Sequence, residues 1–127
     1  MYSQTTFGHK SMKALNAITS VLNNMENKKA SRYWASMLSD INEVFSDLSD
    51  QSFKSRQTIT VATDQIEKYF QDKIDVQVFR KLEYQERTHT GNSIVLQTHT
   101  KNILRAIKNN AQNHLLKKLA NNLWTQK

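Results

Sequence analysis

Ile103, Leu104, Ile107, Ala111, Leu115 and Leu119 recur at three- and four-residue steps through the last third of the chain. Each helical residue turns 100° about the axis, so a helix gathers this spacing into one stripe. The pattern predicts a single long helix from about Ser93 to Trp124, after a loop over Thr88, His89, Thr90, Gly91 and Asn92. Ser93 is the expected N-cap, because its hydroxyl can accept one of the unpaired N–H groups of the first turn. Leu116, Ala120, Leu123 and Trp124 widen the apolar surface near the end. The stripe drifts around the helix, so its partner surface changes along its length. A helix of this size organises the rest of the chain around it.

The remaining chain offers little punctuation. It has no proline and only Gly8 and Gly91, which favours helices joined by short links over a loop-rich or all-β domain. A length of 127 residues reads as one domain, with residues 1–10 as a loose arm. No apolar stretch approaches a membrane span, and Met1 to Lys10 carry no apolar h-region, so a cytoplasmic location is expected. The absence of cysteine excludes disulfides and thiolate chemistry. Twelve Asn, ten Gln and 13 Lys against five Arg agree with a bacterial or phage origin.

In chain order, the first helix is expected over about Ser11 to Met25, with Leu15, Ile18, Leu22 and Met25 as its seam. Continuing that seam by sevens would place Lys29 at an apolar position, so a turn follows, and Ser31 is expected to cap the next helix. The second helix, about Ser31 to Leu48, places Ala30, Trp34, Met37, Leu38, Ile41, Phe45 and Leu48 on one face, flanked by Tyr33 and Val44. Its opposite face carries an acidic stripe, Asp40, Glu43, Asp47 and Asp50. That stripe is either a solvated surface or the counter-surface to a basic helix, in this chain or another.

Ser49 to Arg56 reads as a connection. A third helical segment is expected from about Thr58 to Glu86, with Asp64 and Glu67 as a capping box and Ala62, Ile66, Tyr69 and Phe70 as its face. Past Asp72 the face shifts to Ile74, Val78 and Leu82, which implies a kink or a break. A second reading makes residues 76–98 a β-hairpin, with Val76, Val78, Leu82 and Tyr84 alternating opposite Ser93 to Thr98. The assembled expectation is an all-α, up-and-down bundle of about four helices. Its last helix is long and basic, and its last two segments are the longest.

Charge divides the chain. Residues 1–86 hold eleven Lys/Arg and eleven Asp/Glu, whereas 87–127 hold seven Lys/Arg and no acid, so the whole net charge of +7 lies in the tail. Lys101, Arg105 and Lys108 share one stripe, with Gln112 next along it, about a third of a turn from the apolar stripe. One face of the helix is thus expected to dock while the other presents positive charge to solvent, to phosphates or to an acidic protein surface.

Enzymatic signals are missing. There is no nucleophile-elbow, P-loop or dinucleotide glycine pattern, and Arg87 and Gln97 do not suit a helix-turn-helix around Gly91. His89, His99 and His114 stand too far apart for a helical metal pair, and His9 is isolated, so no metal or cofactor is expected. The expected function is that of a small non-enzymatic regulatory or adaptor protein that binds another protein, of the inhibitor, immunity or chaperone type. Lys101, Arg105, Lys108, Lys117, Lys118 and Trp124 are the expected contact residues, and a homodimer through Leu115–Trp124 is the expected assembly. The alternative is a nucleic-acid-binding regulator that uses the acid-free last helix.

Overall fold

The computed structural model describes residues 9–25, 28–74 and 90–125, and four helices account for most of them. They are α1 (His9–Asn23), α2 (Lys28–Ser49), α3 (Arg56–Asp72) and α4 (Thr90–Thr125). Among the described residues there is no strand, and the fold is an all-α bundle. The hairpin reading fails in its second arm, because residues 93–98 belong to α4. Leu96, Thr100 and Ile103 are all buried, so the core stripe begins earlier than the sequence suggested and holds this segment helical. The Thr100 hydroxyl donates to the Leu96 carbonyl at 2.7 Å, which satisfies a buried polar group without leaving the helix. The proposed first arm, residues 76–89, lies outside the described residues.

The 36 residues of α4 span about 54 Å, against about 33 Å for the 22 residues of α2. Each of the three shorter helices packs against α4 far more extensively than against another of the three. The drift of the apolar stripe explains how one helix does this. Leu96, Ile103, Leu104, Ile107, Ala111, Leu115 and Leu119 are all buried, and they turn progressively around the axis. They meet one core with Ile18, Leu22 and Met25 from the first segment, Trp34, Ile41 and Phe45 from α2, and Ile59, Phe70 and Ile74 from the third. Trp34 is fully buried, as its place on the α2 face predicts, while Tyr33 and Val44 remain at the exposed edge. The Trp34 indole N–H and the Asn42 side-chain oxygen are buried without a hydrogen-bond partner among the described residues.

Helix boundaries depart from the expected caps in three places. Ser31 lies one turn inside α2, and its hydroxyl donates to the Leu22 carbonyl at 3.2 Å, near the frayed end of α1. It ties two helices together instead of starting one. Ser93 lies inside α4, which already runs from Thr90 through Gly91 and Asn92. A glycine in a helix costs at most about 1 kcal/mol, which the buried stripe from Leu96 to Leu119 offsets. The third departure is in α3. Its N-cap is Ser55, an extended residue whose hydroxyl accepts from the Thr58 N–H at 3.2 Å. Asp64 and Glu67 therefore lie in the middle of α3 and cap nothing. At residues 73–74 the helix widens into a π-type turn that leaves Ile74 fully buried, where the change of face at Asp72 implied a break. The length of the third segment beyond that turn, with Val78 and Leu82, lies outside the described residues.

Candidate docking groove on α1 and α4

The basic stripe of α4 divides between two neighbours. On the α3 side, Lys108 is not directed to solvent. Its ammonium donates to the Glu67 carboxylate at 2.6 Å and to the Asp64 carboxylate at 3.3 Å. The Lys108 and Glu67 side chains keep 16% and 15% of their exposure, whereas Asp64 keeps 56%, so Glu67 is the closer and drier partner. Burial by itself would lower the Lys108 pKa, but the bonds and charges of Glu67 and Asp64 outweigh it and hold the ammonium above its ordinary value. One turn further, the Gln112 amide donates to the buried Thr63 hydroxyl at 2.7 Å, and Thr63 donates back to the Ile59 carbonyl at 2.9 Å. Thr63 faces Gln112 and Glu67 faces Lys108, so α3 and α4 run antiparallel. Lys118 is also drawn inward and donates to the Gln51 carbonyl at 3.3 Å, just past the end of α2. A cation there suits the negative end of that helix.

On the α1 side the stripe stays open. A groove of about 590 Å³ runs along the valley between α1 and α4. One wall is Lys13, Ala14 and Ala17 of α1; the other is His99, Asn102, Arg105, Ala106 and Asn109 of α4. The three alanines keep the floor shallow, and the two asparagines offer amide donors and acceptors. Lys13 and Arg105 are exposed, one on each wall, and no acidic residue lines the groove. His99 is half-buried in its wall.

Of the residues singled out in the sequence, the structure brings only Arg105 into this groove. Lys101 is half-buried and Lys117 is exposed. The side chain of Trp124 lies outside the described residues. Leu115 and Leu119 are buried within the chain and Leu116 is half-buried, so of the proposed self-association surface Ala120 and Leu123 remain exposed apolar residues among the described side chains. Asp40, Glu43 and Asp47 are exposed on the outer face of α2, and Asp50 is exposed in the turn just past its end. Asp40 also borders a small cleft of about 160 Å³ with Tyr33, Phe70 and Lys73. There the Tyr69 hydroxyl and charge, followed by Tyr33 and Asp40, raise the Lys73 pKa, and the ammonium lies 4.8 Å over the Tyr69 ring.

Sequence reasoning missed Lys13, Ala14 and Ala17 as a wall. Their only signal was that they lie off the Ile18–Leu22 seam while remaining small or basic. Among the described residues, no group of three or more His, Asp or Glu side chains could hold a metal ion. No described helix is long and apolar enough to cross a membrane. Comparisons with family models, with curated proteins and with solved structures found no match to this chain.

Proposed function

We infer that this is a non-enzymatic regulatory or adaptor protein that acts by binding another protein, with the α1/α4 groove as its docking site. The observation that carries this reading is the acid-free groove with one exposed cation on each wall, Lys13 and Arg105. A groove about three turns long with a floor of small residues suits a helix laid along it, and the flanking cations select one with carboxylates at its edges. Inhibitors, immunity proteins and chaperones of the helical type work by docking of this kind, and a cytoplasmic location belongs to the same reading. Nucleic acid is the competing ligand. It is disfavoured because Lys108 and Lys118 are engaged within the chain, which leaves fewer cations for the phosphate contacts that dominate such affinity.

The test is capture from lysate of the native host, with and without nuclease, using wild type and the Lys13→Glu/Arg105→Glu variant as baits. A protein recovered by wild type in both lysates and lost by the variant is the expected outcome. Recovery only from the untreated lysate would move the assignment to nucleic acid. Equal recovery by both baits would remove the groove from the function.

A further inference from the structure

We propose that the groove of one molecule takes the acidic stripe of α2 from a second copy of this chain, so that the protein associates head to tail. The inference rests on the groove reading above and names its occupant. Glu43 and Asp47 are exposed along the outer face of α2 after Asp40, and Asp50 continues the spacing in the turn that follows, its N–H bonded to the Ser46 carbonyl at 3.2 Å. From Asp40 to Asp50 the stripe covers about 15 Å, at 1.5 Å per residue. On α4 the groove wall runs from His99 to Asn109, again about 15 Å. Arg105 stands near the middle of that wall, with Lys13 on the α1 side. An acidic stripe and an acid-free groove with a cation on each wall, of similar length, are thus both present in one chain.

The two surfaces are separate, and no residue belongs to both. The stripe is opposite the α2 face that carries Trp34, Ile41 and Phe45 into the core, whereas the groove is the valley between α1 and α4 and is lined on α4 by residues outside its buried stripe. A groove that takes the stripe of a second copy leaves that copy's own groove open to a third. The contact joins different patches, and such contacts propagate until the rotation closes a ring or leaves an open filament. Asp40 shares its cleft with Lys73, so Glu43, Asp47 and Asp50 carry the attraction toward Lys13 and Arg105. A three-turn contact is small beside the roughly 800 Å² per partner of a standard interface, and exposed charges are screened by salt. The association is therefore weak, concentration-dependent and salt-sensitive.

Sedimentation velocity of the full chain tests this with two variants, Lys13→Gln/Arg105→Gln and Glu43→Gln/Asp47→Asn/Asp50→Asn. Wild type should sediment as species that grow past the dimer with concentration, and should return to monomer as salt is raised from about 50 mM to about 500 mM. Each variant alone should be monomeric while keeping the helical circular dichroism of wild type. An equimolar mixture should stop at a one-to-one dimer, because each variant retains one working surface. A wild type that is monomeric at every concentration, one that stops at the dimer, or a variant that assembles like wild type would each overturn the proposal. So would wild-type assembly that ignores salt, a measurement that needs no variant. A monomeric wild type would leave a foreign acidic partner in place, so capture from lysate and self-assembly fail separately.

Discussion

The two sides of α4 begin from the same chemistry and end differently. Lys108 and Arg105 lie one turn apart on one basic stripe, yet Lys108 is held by two carboxylates of α3 while Arg105 stands exposed beside α1. The neighbour makes the difference. α3 offers Asp64 and Glu67 on a single face, whereas the facing residues of α1 are Lys13, Ala14 and Ala17. A basic helical stripe therefore becomes structure where acid lies within reach of a side chain, and remains a surface for something else where none does. On the α3 side charge and amide pairs fix the register of two helices; on the α1 side alanines bring the helices close and leave the charge unspent.

The largest expected effect measures the core that both sides share. Trp34→Ala should cost about 3–5 kcal/mol in urea unfolding, since it empties a fully buried site between α2 and α4. A melting temperature left unchanged would mean that neither side depends on that core. Next comes the α3 side. Lys108→Met should cost about 1–3 kcal/mol, the cost of leaving a poorly exposed polar partner unsatisfied, because it strands the Glu67 carboxylate. Adding Glu67→Gln should recover part of that loss, as expected of residues in direct contact.

The pH dependence sharpens the same point. The folded Lys108 pKa lies above its unfolded value, so the pair contributes fully below about pH 10.4 and is lost as pH rises through the folded value. The stability gap between wild type and Lys108→Met should accordingly stay level from neutral pH to about pH 10 and narrow above it. A gap that narrows on acidification from neutral pH to about pH 6 would point to some other group. Gln112→Ala, which leaves the buried Thr63 hydroxyl with its donor role only, should cost about 1 kcal/mol. The smallest effect belongs to the groove. Lys13→Gln/Arg105→Gln should change stability by no more than about 0.5 kcal/mol, as exposed substitutions do. If it cost as much as Lys108→Met, the two sides of α4 would be equally structural and the contrast would collapse.

Local periodicity made the helices legible. The 103–119 stripe and the Trp34–Leu48 face were readable because the spacing of apolar residues within a helix needs no knowledge of the rest of the fold. The register of one helix on another was not readable. Asp64 and Glu67 are three apart, a spacing that serves a capping box and a two-carboxylate clamp equally well. Choosing between them required knowing that Lys108, over forty residues later, would arrive across from them. The same ignorance sent Lys108 to solvent and left Lys13 out of the site. Ser31 shows the limit at a helix end, because a serine after a turn reads as a cap until the carbonyl of Leu22 is seen beside it. Thr63 and Thr100 were passed over as core residues because their hydroxyls look polar in a sequence, although each is satisfied by its own helix.

The dominance of α4 in the packing also has a consequence in time. The ribosome makes α1, α2 and α3 first, and these have few contacts with one another. Among the described residues, Trp34, Phe45, Ile59 and their neighbours find most of their helix packing only once Leu96 to Leu119 have emerged, so the bundle is completed by α4. Until then a nascent chain exposes apolar faces of α1, α2 and α3 that α4 later covers, the kind of surface that makes unfinished chains prone to aggregate.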